Sequence, residues 1–420
     1  MNEIFYIKDS IENKISFYHL ILFLCLLPFD RFYSTLIFIS LIIHTLIYLR
    51  PALLMLPDRS VFVLQSVFYV TVFSSIYAVS VADAMNVAGR QLGIFIFPLL
   101  FFYTALNLKR YRHLSMMSVC FSCALTVLYL YVDAFRVIRY SGLPFRALFS
   151  WEFFNQNFTL PIHMHATYFS MLIVFGMVYC VDEIVNRKQQ LFYSSVLVIL
   201  SVGLFQLSVK SAIMSFFVIM LTGIPWMLVR KKIRKIYYVS ALIVLISAMA
   251  FLLNFEVFRE RYVIDLENDL VENRTTPDAS SRISRWHVSY DLIRQAPLAG
   301  TGSGSENGLL RQSYFDRKMY ASYLASLNAH NQYLSFLINS GVLGLFVYLI
   351  TLGWGMWKAI RYRDIYLFSF MILVIIVSMS EDLLDVNKGI FIYSFFFSFL
   401  VFSLENPSTD QVTPFATNKT

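Results

Sequence analysis

Ser211–Val229 reads SAIMSFFVIMLTGIPWMLV, Arg230–Lys235 reads RKKIRK, and Ile236–Asn254 reads IYYVSALIVLISAMAFLLN. The two apolar runs are each near the ~20 residues a helix needs to cross a bilayer. Between them stand six residues, five of them cationic. Such a cluster is favoured beside anionic cytoplasmic headgroups and resists translocation, so it marks the inner end of both runs. Working outward from this hairpin, apolar segments recur at 16–29, 32–49, 60–80, 92–107, 115–133, 163–181, 191–208, 211–229, 236–254, 330–357, 365–380 and 389–404. The expectation is an all-α, polytopic membrane protein with about twelve transmembrane helices and its N terminus inside. Only 14% of the 420 residues are charged and 58% are hydrophobic, against about 25% charged in soluble domains. The net charge of +8 sits between apolar segments, so topology accounts for it and nucleic acid is not an expected partner. In this orientation fifteen Lys/Arg fall in short inner loops and seven in short outer loops, as the positive-inside rule requires.

This reading divides the chain into four parts. Residues 1–254 form spans one to nine, 255–329 a large outer (periplasmic) loop, 330–404 spans ten to twelve, and 405–420 a polar, disordered cytoplasmic tail. Segments seven and eight, split by Ser208–Lys210, read as either a hairpin or one broken helix. Phe255–Ala329 carries nine Lys/Arg and ten Asp/Glu, too polar for hydrocarbon, and loops of that length are commonly functional. A second outer stretch, Ala134–Pro161, mixes Arg136, Arg139 and Arg146 with Phe135, Phe145, Phe149 and Trp151, the composition of an interfacial amphipathic helix.

Within the large loop, Ser280–Ala296 reads as a helix, with Ser280 or Ser281 as N-cap. Ile283, Trp286, Tyr290 and Ile293 give it an apolar face, and Pro297 with Gly300, Gly302 and Gly304 ends it. Arg282 and Arg285 lie in its first turns, where guanidinium groups and the helix N-terminus together favour phosphate. The Gly300–Gly304 run lacks the spacing of a nucleotide-binding loop and reads as a flexible turn. His330 follows at the loop–membrane boundary, in NAHNQYL from Asn328 to Leu334. A neutral imidazole there can accept a proton near pH 7, or simply pack at the interface. Cys120 and Cys123 lack a second ligand pair, so neither a metal nor a cofactor is expected.

Arg282, Trp286, Pro297–Gly300, Gly302, then His330-Asn331-Gln332-Tyr333-Leu334 and Gly341-Val342-Leu343-Gly344, stand in the order and spacing of a known motif set. The chain resembles the O-antigen ligase and O-antigen polymerase superfamily, bacterial membrane glycosyltransferases that use lipid-linked glycans. Ser380-Glu381 also resembles the family's Ser/Thr-Glu turn before its last helix. Lys210 stands where the family usually has an arginine, which keeps the charge and loses the bidentate geometry. Arg90 resembles the basic position before the family's fourth helix, and His163 and His165 with Tyr168 resemble a His-containing helix start.

The resemblance implies a GT-C-like membrane fold in the bacterial inner membrane. The implied donor is an undecaprenyl-diphosphate-linked glycan, and the implied acceptor lipid A–core or another glycan. His330 would be the general base, with Arg282, Lys210, Arg285 and Arg90 on the diphosphate. Asn331, Trp286, Glu381 and His165 would support them. Transfer would be metal-independent and inverting. A polymerase joining lipid-linked repeat units shares these motifs, and a polysaccharide transporter or flippase is a third class. The last would show broken helices with mid-membrane charges and internal repeats, of which Lys210 is the main trace.

Overall fold

The computed structural model describes residues 7–49, 56–186, 189–252, 259–260 and 281–404. All regular elements among them are helices, with no strand among the described residues. That is the expected outcome for lipid-embedded backbone, whose polar groups must be satisfied within the segment. A helix lies over each apolar stretch, in chain order α1 (Ile11–Leu26), α2 (Arg31–Ile47), α3 (Arg59–Ser75), α4 (Val81–Arg90), α5 (Leu92–Tyr103), α6 (Leu108–Tyr140), α7 (Ala166–Val185), α8 (Gln190–Leu207), α9 (Lys210–Leu221), α10 (Gly223–Met227) and α11 (Arg234–Leu252). Then come three helices of the polar region, α12 (Arg282–Gln295), α13 (Glu306–Asp316) and α14 (Tyr320–Leu324). Last are α15 (Gln332–Arg361), α16 (Ile365–Val377) and α17 (Asn387–Leu404). Among the described residues seven helical stretches are long and apolar enough to cross a membrane.

Polar residues end these helices where the sequence changes character. Ser10, Asp30, Asp58, Ser80, Asn107, Asn331 and Asp364 each cap a helix by accepting a backbone N–H. The most buried helices are α7 and α17. Around α17, Phe391 and Phe395 pack with Phe23, Phe38 and Phe97 in tilted, stacked and edge-on pairs. Where the start of α6 meets the end of α7, Arg112 makes two hydrogen bonds to Asp364, at 2.5 and 2.6 Å, and Tyr366 donates to Asp182 at 2.6 Å. These pairs tie α6, α7 and α16 together far from the motif residues.

One expectation is revised, and one reading left open by the sequence is decided. Ala134–Pro161 is not a separate amphipathic helix. Its first part is the end of α6, a helix of 33 residues, ~50 Å at 1.5 Å per residue, longer than the ~30 Å of hydrocarbon. The rest is a series of short 3-10 turns, with Phe135 stacked on Phe145 at 5.5 Å. Between α8 and α9 the chain breaks sharply at Ser208, whose φ is +49°, and Lys210 starts the next helix.

The Gly300–Gly304 run is a fixed wedge and not a flexible turn. α15 breaks at Gly341 (φ 63°, ψ −165°), and a Cβ there would lie 2.3 Å from the Leu298 carbonyl. The break frees the carbonyls of Ile338 and Asn339 and the N–H groups of Val342 and Leu343. Thr301 and Gly302 donate to those carbonyls at 2.8 and 2.9 Å, while Val342 and Leu343 donate to Pro297 and Leu298 at 2.9 and 3.3 Å. Backbone replaces backbone, which requires close approach. Gly302 has φ +96°, and a Cβ on it would lie 2.3 Å from the Ala78 Cα. Gly302→Ala should therefore cost about 2–3 kcal/mol through strain and overlap and lower the apparent melting temperature by roughly 2–4 °C in a chain of this length. An unchanged melt of the purified protein would contradict the wedge's structural role.

Candidate active site

His330 closes the polar region, with α15 starting two residues later. Its φ is +47°, a left-handed conformation that a non-glycine residue keeps only when its surroundings impose it. Here the flanking backbone is held from several elements. From α12, Arg285 Nη1 donates to the Asn328 carbonyl at 3.1 Å and Trp286 Nε1 to the Ala329 carbonyl at 3.0 Å. From α13, Glu306 Oε1 accepts the Ala329 N–H at 3.3 Å. From the α16–α17 turn, Asp382 Oδ1 accepts the Asn331 N–H at 2.9 Å. Asn331 in turn caps α15 through the N–H groups of Tyr333 and Leu334, at 3.0 and 3.2 Å.

The side chain of His330, one-third exposed, places Nδ1 3.6 Å from Glu381 Oε2. That is within ion-pair range but long for a hydrogen bond. Thr167 Oγ1 donates to the other Glu381 oxygen at 3.1 Å, and His165 caps α7 beside it. Burial alone would raise the Glu381 carboxyl. The close approach of His330, the charges of His165 and His330, and the Thr167 hydroxyl prevail and hold it below the usual range. An ionised carboxylate at Nδ1 favours the tautomer protonated there, so the lone pair falls on Nε2. No described residue hydrogen-bonds Nε2.

The backbone-holding carboxylates behave differently. Burial pushes Glu306 up to about 7 against the ordinary 4.5, with the charge of Asp385 adding to it. Burial, then the charges of Glu306 and Asp385, drives Asp382 well above its ordinary value. Asp385 is also raised by burial, although the Arg90 guanidinium opposes the shift. Three acidic groups therefore share a confined region just beneath His330.

The structure brings His330, Asn331, Trp286, Arg285, Glu381 and His165 into one cluster. Arg285 is buried with a guanidinium nitrogen on the Asn328 carbonyl, so it acts on the backbone before His330. Arg282 opens α12, one turn from Trp286. Lys210 stands at the α8–α9 break. Arg90 ends α4 and lines a cavity of about 440 Å³ that runs down α15 from Gln332. The buried face of α12 differs in part from the expectation: Ile293 is buried as expected, together with Arg285, Val288, Ser289 and Leu292, while Tyr290 is exposed. Glu306, Asp382, Asp385, Thr167 and Arg311 were missed by sequence reasoning. Only Asp382 and Asp385 carried a signal, as neighbours of Glu381.

Residues 195–349 match the family model Wzy_C, O-antigen ligase. The match supports the O-antigen ligase and polymerase superfamily that the motifs resemble. It runs from α8 through Lys210, the Arg282–Trp286 pair and His330 to the α15 break, and leaves Arg90, His165 and Glu381 outside it. No curated protein matches the chain. The match covers 155 of the 420 residues and supports an O-antigen ligase or polymerase type of function in general terms, and the apolar helices suit a multi-pass membrane protein.

The raised Glu306 carboxyl has a measurable consequence. Between 4.5 and about 7 the folded chain keeps a proton that the unfolded chain releases, so stability falls as pH rises through that window. Glu306→Gln removes this contribution. Its melting temperature should therefore fall less than the wild type's from pH 5 to pH 7, and equal slopes would mean that Glu306 is ionised throughout.

Proposed function

We propose that the chain is an O-antigen ligase-type glycosyltransferase of the bacterial inner membrane. It moves a glycan from an undecaprenyl-diphosphate carrier to lipid A–core or a similar acceptor at the periplasmic face. The observation that carries this reading is the clamped left-handed backbone at His330, with Nδ1 toward an ionised Glu381 and Nε2 uncommitted. Nε2 takes the proton of the acceptor hydroxyl as the oxygen–C1 bond forms. The C1–phosphate oxygen bond breaks on the opposite face, so the anomeric centre inverts. Glu381 holds the imidazole in the required tautomer and stabilises the imidazolium.

The diphosphate leaves as an anion. Arg282 and Lys210 supply the countercharge, with Arg90 and Arg285 adding to the field from α4 and α12, so no metal is needed. Trp286, His165 and Asn331 hold the site together. The twelve apolar segments act as spans that place the polar region 255–329 outside, where a lipid-carried donor and a lipid-anchored acceptor meet. Of that region, 255–258 and 261–280 lie outside the described residues.

Deleting the gene in its host and separating lipopolysaccharide on gels tests the class. Loss of long O-chain with the lipid-linked polymer intact is the expected result. A ladder collapsed to one repeat would identify a polymerase instead, and unchanged glycan with altered solute uptake would remove both. In the purified enzyme His330→Ala should lower transfer by ~10²–10⁴-fold while membrane insertion stays normal; full activity would eliminate His330 as the base. A product with retained anomeric configuration would overturn the direct displacement. Arg282→Ala should raise KM for the donor. Lys210→Arg should keep activity within roughly threefold, because the charge is preserved, and a complete loss would show that Lys210 is not held by charge alone.

A further inference from the structure

We propose that the polar cavity between α4, α13 and the first turns of α15 is a binding site for an uncharged, polyhydroxylated sugar unit of a glycan substrate, which deepens the proposed function and rests on it. One wall is Gln332, Ser335, Phe336, Asn339 and Ser340. Their spacing of three and four makes them a single face of α15 that begins two residues after His330. The opposite walls present Asn86, Arg90 and Gln91 from α4, and Glu306, Asn307 and Arg311 from α13. The volume, about 440 Å³, falls within the ~300–1,000 Å³ of small-molecule sites.

The lining distinguishes among ligands. Small-molecule sites are mostly apolar, whereas Val87 and Phe336 are the apolar side chains of any size here and the others are amides, hydroxyls and ions. Arg90 and Arg311 face Asp83, Glu306 and Asp385 across the same space. Even where Glu306 keeps its proton, Asp83 and Asp385 stand against the two guanidinium groups, so the cavity has no cationic surplus with which to hold a phosphate. It does offer both donors and acceptors in planar pairs, which suits hydroxyl groups that both donate and accept. From Gln332 to Ser340 the face runs ~12 Å along the helix, so a ring at its upper end lies beside His330.

The test uses the full-length protein in nanodiscs and the oligosaccharide released by mild acid from the host's own surface glycan. Saturable binding is expected. It should weaken by roughly tenfold or more in Arg311→Ala and in Asn307→Ala, both exposed positions, as each removes donors to a bound hydroxyl. Inorganic phosphate at equal concentration should not displace the sugar. Absence of saturable binding, unchanged affinity in both variants, or displacement by phosphate would each overturn the proposal. Transfer is measured on the same preparation: transfer without this binding defeats the cavity assignment alone, and binding without transfer defeats the proposed reaction alone.

Discussion

The exchange of backbone hydrogen bonds at Gly341 is the constraint on which the region around His330 depends. A helix inside a membrane bundle cannot leave carbonyl and N–H groups unmatched without a cost of several kcal/mol. α15 breaks, and the segment Pro297–Gly302 supplies the missing partners one for one. This locks the start of α13 against α15, where the Glu306 N–H meets Asn339 Oδ1 and the Glu306 carboxylate meets both Asn339 Nδ2 and the Ala329 N–H. The conformation of His330 is thus set by a chain of backbone contacts that starts eleven residues further along the sequence.

The same region concentrates features that are unfavourable in isolation. His330 has a left-handed backbone, Arg285 is buried, and the buried carboxyls lie close enough that Asp385 raises the pKa of Glu306 and both raise that of Asp382. Strain and buried charge of this kind persist only when the surroundings over-determine them, and they gather where geometry must be exact to be useful. At the opposite end of α7 the polar pairs are of another type. Arg112 and Asp364 meet in a bidentate ion pair that joins α6 to the start of α16.

The proposed chemistry and the proposed sugar site share one element. The first turns of α15 have His330, the proposed base, just before them and one wall of the polar cavity along them. Arg90, expected on the diphosphate, lines this cavity and opposes the raised pKa of Asp385. Its position connects the two regions electrostatically without putting it in the His330 cluster.

Sequence alone determined the helical class, the positions of the apolar helices and the importance of the 280–344 region, because these follow from local properties. Hydrophobic run length, charge bias and the Ser281 cap act within a few residues of where they are read. His330, Asn331, Trp286 and Glu381 were legible as a motif for the same reason. The glycine run, the face of α12 and the roles of Arg285 and Glu306 were not legible. Each depends on a partner distant in the chain: Gly302 on Ala78 and Asn339, Arg285 on Asn328, Glu306 on Ala329. A polar residue on a helix reads as solvent-facing until a buried backbone carbonyl meets it, and a glycine reads as flexible until another backbone occupies the space of its missing side chain. Only the tertiary structure decides these cases, because the hydrogen-bond partner is brought there by folding.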